Sequence, residues 1–228
     1  MMRPFLASIV LLAVSRGALG QESLKVESRQ QAPPSSVSTE ITRVLGGQSI
    51  RIQDEKGEPF AEIWLRQATP GSAKPSGPKG AVQFPFLADG ELLGVLEFGK
   101  EGHDYRDQPI PKGVYTMRYG LQPVNGDHLG VSTYRDYVLL LPATKDKGLA
   151  PPARKQLEEH SAESAGTNHP ASFLLLMAPP GSKPEPAVLR DADKDTWSVI
   201  LPLRLQAKGA GESTVYPVQL IVVGVAAA

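Results

Sequence analysis

Thr196-Trp197-Ser198-Val199-Ile200-Leu201-Pro202-Leu203-Arg204-Leu205-Gln206 decides how the chain folds. Trp197, Val199, Leu201, Leu203 and Leu205 recur at every second position, while Ser198, Arg204 and Gln206 fall between them. A period of two sends successive side chains to opposite faces of an extended strand, whereas a helix needs a period near 3.6. The stretch therefore predicts a β-strand over 196–206 with one face buried. Val138 to Leu141 and Phe173 to Met177 are apolar at every position, as expected of central strands covered on both sides.

Further short β-type runs bounded by turn residues lie on either side of these. They predict strands near 40–46, 49–54, 60–66, 81–87, 91–98, 113–121, 134–141, 171–177, 185–190, 196–206 and 214–224. The 22 Gly and 21 Pro are consistent with frequent turns, being well above the usual combined share of roughly 12 percent. The helical signal is confined to residues 152–162, which follow Pro151-Pro152 and place Lys155 four residues before Glu159. No long-period self-similarity points to a solenoid or propeller.

Residues 1–20 read as a secretory signal peptide. Arg3 supplies the positive start, Phe5 to Val14 the apolar run, and Ala18 and Gly20 the small residues before a cut ahead of Gln21, although Arg16 is an unusual charge just upstream. That apolar run is about half the roughly 20 residues that a membrane-spanning helix needs. Residues 21–38 are polar and rich in Pro and Ser, so a disordered linker is expected there, followed by a single β-sandwich domain over 39–228. Gln67 to Gly80 reads as a long surface loop inside that domain. The apolar run from Val218 to the C-terminus reads as a last buried strand rather than a stable membrane anchor.

Composition narrows the function classes. Lys plus Arg and Asp plus Glu each total 24, so the chain exerts no general attraction on phosphate backbones or anionic lipid, and nucleic acid is not an expected partner. With 0 Cys, neither a lipid-anchored cysteine nor disulfide staples can form, and an exported domain must rely on core burial. The sequence contains no G-x-S-x-G turn, phosphate-binding loop, G-x-G-x-x-G, H-E-x-x-H or cysteine nucleophile.

Three constellations remain as candidate sites. Asp191, Asp193 and Asp195 alternate in a turn, which is how a loop gathers hard oxygens for Ca²⁺. Thr196 stands where a calcium loop needs Gly and Pro202 where it needs Glu, so the same residues also suit a solvated turn. His128, His169 and Asp127 lie in expected loops. Brought to one end of a sandwich, they would ligate Zn²⁺ and leave a position for a water nucleophile. Trp64 alternates with Glu62 and Arg66, so Trp64 and Arg66 could form a ligand-stacking platform on an exposed strand face. Tyr115, Met117 and Tyr119 share a strand face that reads as core.

Pro109-Ile110-Pro111-Lys112-Gly113-Val114-Tyr115-Thr116-Met117, followed by Arg135-Asp136-Tyr137-Val138-Leu139-Leu140-Leu141, resembles a recurring unit of exported bacterial β-proteins. The unit is similar to that of the uncharacterised DUF2911 family and to the "G-x-Y-x-L/V" strand of prealbumin-like sandwich domains. Residues 122–133 form an insert between the two strands. The resemblance implies a sandwich and carries no activity with it. The expected fold is therefore all-β, an antiparallel β-sandwich of prealbumin-like or jelly-roll-like type, with one short helix. The expected function is that of an exported non-catalytic binding or structural module, periplasmic or secreted, whose partner is an extracellular protein or carbohydrate. A metal-dependent hydrolase built on the His/Asp set and a calcium-stabilised adhesion module are the alternatives, with Zn or Ca as their cofactors.

Overall fold

A computed structural model describes residues 23–124 and 132–226. Its first half contains β1 (Lys25–Gln30), α1 (Thr39–Thr42), β2 (Gln48–Gln53), β3 (Pro59–Leu65), β4 (Thr69–Gly71), β5 (Leu92–Phe98), β6 (Gly102–His103), β7 (Pro109–Ile110) and β8 (Gly113–Leu121). There follow β9 (Asp136–Pro142), α2 (Arg154–Ala165), β10 (Ser172–Met177), β11 (Ala187–Asp191), β12 (Thr196–Ala207) and β13 (Thr214–Val223). The alternating stretch 196–206 lies within β12.

Ten strands follow one hydrogen-bonded path, β1-β2-β3-β5-β8-β9-β10-β13-β12-β11, and β4 joins β12 in parallel. Every other pairing along the path is antiparallel. The path folds over at β10, whose Ser172 to Leu174 pair with β9 while Leu175 to Met177 pair with β13. Strands β1 to β9 on the path thus form one layer and β13, β12 and β11 the other, and the path's ends, β1 and β11, come into contact. The result is an all-β, sandwich-like fold.

Side-chain alternation fills the space between the layers. Ile52, Ile63, Leu96, Met117, Tyr119, Val138 and Leu140 from the first layer meet Val199, Leu201, Leu203, Leu205, Val218 and Leu220 from the second in one buried cluster. Each such side chain contributes about 1.5–3 kcal/mol through burial. Tyr115 and its neighbours Met117 and Tyr119 join this core as expected. The Tyr115 hydroxyl donates back to the Pro111 carbonyl at 2.7 Å, and this bond ties the Pro-x-Gly-x-Tyr turn to the strand it starts.

Several expectations need correction. Residues 25–30 form β1 and pair with β2, so ordered structure begins inside the expected linker. Its burial is that of an edge strand, mostly exposed, which is why its composition looks like linker. The strand expected at 40–46 is replaced by α1, capped by Ser38 Oγ accepting from Ile41 N at 3.2 Å, with Glu40 favourably placed in the first turn. Residues 81–87 form turns. Phe84 and Phe86 are nevertheless buried, and the segment is held by Asp136, which accepts from Gln83 N at 2.8 Å and Phe84 N at 3.0 Å. The 67–80 loop contains β4.

The outer face of the first layer is also covered. Trp64, Leu92 and Val95 pack under Val37, Ile41 and Leu45 of the N-terminal segment. Tyr137, Leu139 and Leu141 pack with Leu157 of α2, Leu174 and Ile221. Between these two patches the fully buried Arg118 points outward beneath the 144–150 loop. It donates to both oxygens of Asp146 at 2.7 and 2.8 Å and to the carbonyls of Gly90, Gly148 and Ala150. All five guanidinium N–H groups are thereby used.

Candidate functional site

A cleft of about 650 Å³ opens where α2 crosses the outer face of β8 and β9. Its floor follows from one register pair, Gly120 opposite Tyr137. A Cβ at Gly120 would stand 2.8 Å from Leu139 Cδ1, so a side chain there would crowd the floor. One side of α2 is pinned to the sheet: Leu157 is fully buried, Ser161 Oγ donates to Ala171 O at 3.2 Å, and Ser164 Oγ to Leu140 O at 2.9 Å. The helix ends at Gly166, whose φ of 63° is the left-handed cap that glycine adopts at little cost.

Another side of α2 forms a wall with Arg154, Glu158 and Ala162 at four-residue spacing. Arg154 donates to Glu158 Oε1 at 2.6 Å and to Asp89 Oδ2 at 2.9 Å. Glu159 pairs with Lys155, and Glu163 with Lys145. Tyr105 and Arg106 close one end, with ring centroids of Tyr105 and Tyr137 6.4 Å apart and tilted by 57°. The Tyr137 hydroxyl is buried and makes no well-formed hydrogen bond, although the Ser132 side chain approaches it. Burial pushes its pKa up to about 12, so the phenol stays neutral at physiological pH. Thr167, Asn168 and His169 form the rim beyond the Gly166 cap.

The sequence-derived candidates fare differently. His169 is exposed on the rim of this cleft, while His128 and Asp127 lie outside the described residues. Trp64 is not an exposed stacking surface. It is 1% exposed under the N-terminal segment, and its indole N–H donates to Gln31 O at 2.7 Å. Arg66 is tied to Glu91 at 2.7 Å. Those two residues therefore offer no open platform for a sugar.

Asp191, Asp193 and Asp195 occupy the hairpin between β11 and β12. Asp191 Oδ1 accepts from the backbone N–H groups of Lys194 and Asp193, and these bonds hold its carboxyl below the usual range. Asp195 pairs with Arg190 at 2.8 Å. Two of the three carboxylates are thus engaged by the turn itself, as in the solvated-turn reading. Among the described residues, no group of three or more His, Cys, Asp or Glu is arranged to hold a metal.

The residues that the sequence reading passed over are Tyr105, Arg106, Gly120 and Tyr137. The available signal was Gly120, a glycine in the interior of a strand, where the close approach of a neighbour is a usual reason for it. Comparison with protein-family models, with curated proteins and with solved structures finds no match to the chain.

Proposed function

We propose that the protein is an exported, non-catalytic binding module that holds a small ligand in the cleft between α2 and the β8–β9 surface. The observation that carries this reading is the cleft itself. Its volume of about 650 Å³ lies inside the range of roughly 300–1,000 Å³ typical of small-molecule sites, which combine apolar walls with a few polar groups. Leu121, Leu139 and Ala162 supply the apolar surface.

The polar groups nearby support binding rather than chemistry. Glu158, Glu159 and Glu163 each face a cation, and the hydroxyls of Ser161 and Ser164 are spent on backbone carbonyls. None of these stands as a free base beside a nucleophile. Arg3, the apolar run from Phe5 and the small residues Ala18 and Gly20 support export to the periplasm or beyond.

A fragment screen by NMR on the full chain tests the reading. Hits are expected to perturb Leu121, Leu139 and Ala162, and Ala162→Trp, which fills the cleft from the helix side, is expected to abolish them without altering the circular dichroism. Fragments that bind elsewhere, or that bind Ala162→Trp equally well, would remove the proposal.

A further inference from the structure

We infer that the cleft selects a small carboxylic acid with an apolar body, its carboxylate held by the guanidinium of Arg106. The inference rests on the binding-module reading above and adds the ligand's chemical class.

Charge accounting along the lining leads to it. Arg154 is shared by Asp89 and Glu158, Lys155 faces Glu159, and Glu163 is neutralised by Lys145. Among the described residues of the lining, Arg106 is the charged side chain with no ion pair and no side-chain hydrogen bond. It is exposed at the end of the cleft where Tyr105 and Tyr137 meet. Asp104, the nearest buried carboxylate in sequence, accepts from the Arg106 backbone N–H and from Gln108 and Ser172. Its oxygens are therefore occupied by groups other than the guanidinium. Tyr137 stays a neutral phenol and does not supply a competing anion.

One free guanidinium matches one carboxylate. Its planar fork presents two parallel N–H groups to the two oxygens, and the pair carries a single charge on each side. A phosphate monoester brings about two negative charges and would leave one uncompensated beside the glutamate wall. The remaining surface near Leu121, Leu139 and Ala162 is apolar and suits a hydrocarbon or aryl body.

Isothermal titration of the full chain at neutral pH and low salt, with phenylpropanoate and the matched neutral phenylpropanol as probes, tests the assignment. Phenylpropanoate is expected to bind about 3- to 5-fold more tightly than the alcohol, as a charge-assisted pair with an exposed guanidinium allows. Arg106→Gln is expected to erase that preference while leaving the alcohol's affinity unchanged, and Ala162→Trp to weaken both probes. Equal binding of acid and alcohol would overturn the inference, as would an acid preference that survives Arg106→Gln or the absence of binding by either probe. If the alcohol binds and Ala162→Trp abolishes it without any preference for the acid, the acid assignment alone falls. If fragments fail to map to the cleft, the binding-module reading falls with it.

Discussion

Arg118 and Arg154 both reach carboxylates over the outer face of the first layer, yet the Arg118 side chain is 0% exposed and that of Arg154 is 38% exposed. Arg118 closes its region completely. Five donors meet five acceptors, and the 144–150 loop is drawn onto the sheet. Arg154 stands at the edge of a helix that is pinned on one side only, and its ion pairs line a cleft. The contrast shows where a sandwich can bind something: beside a covering element anchored on one side, where the polar groups stay solvated and cheap to rearrange. A fully satisfied buried network resists rearrangement because any broken member is left without water.

The largest expected effect comes from breaking the closed region. Asp146→Ala strands a buried guanidinium and is expected to cost about 3–5 kcal/mol in urea unfolding. The double variant Arg118→Met/Asp146→Leu should recover only part of this, because the carbonyls of Gly90, Gly148 and Ala150 lose their donor. Full recovery would show that the three carbonyls matter little.

Leu157→Ala removes the fully buried anchor of α2. A loss of about 2–3 kcal/mol is expected, toward the low end for such truncations because the helix can settle into the neighbouring cleft. A loss equal to that of Asp146→Ala would erase the proposed difference between the regions.

Alkaline pH tests the floor of the cleft. Burial raises the Tyr137 pKa from its ordinary value near 10 to about 12. A raised folded pKa stabilises the fold fully below pH 10, and that contribution drains away as pH climbs to about 12. Tyr119 is shifted in the same direction by burial and by donating to Asp136 at 2.6 Å. Unfolding midpoints followed with phenolate absorbance should fall across this window, and the fall should be smaller in Tyr137→Phe. An unchanged profile in that variant would contradict the assigned burial.

Arg154→Ala is expected to cost less than about 1 kcal/mol, and less again in high salt, since its partners are partly exposed. A larger loss would place Arg154 with Arg118 as part of the closed architecture.

Much of the strand plan was legible in the sequence. β8, β9, β10, β12 and β13 lie where alternation or uniformly apolar runs put them, and α2 begins within two residues of its expected start. The strand wrongly expected at 40–46 had its own warning. Ile41, Val44 and Leu45 are spaced three and four apart, the helical interval, directly after a capping Ser38. At 81–87, Pro85 interrupts a run whose Phe84 and Phe86 alternate like a strand, and alternation alone cannot distinguish a strand from a turn that buries both rings. For the candidate site, His169 was singled out and does reach the cleft. Arg106 was not, because it sits in no motif, and Tyr137 appeared only within a strand motif that specifies fold rather than a site.

The sequence by itself determined the central strands and, for β8 and β12, which side faces the core, because a period of two is a local property of the backbone. Tertiary structure alone decided what covers the opposite side. Trp64 is buried by a segment about twenty residues earlier in the chain, Arg118 by a loop about thirty residues later, and Tyr137 faces a cleft because α2 crosses there. Burial and charge pairing depend on neighbours brought together by chain reversal. Residues with the same strand pattern can therefore become core, ionic clasp or binding surface.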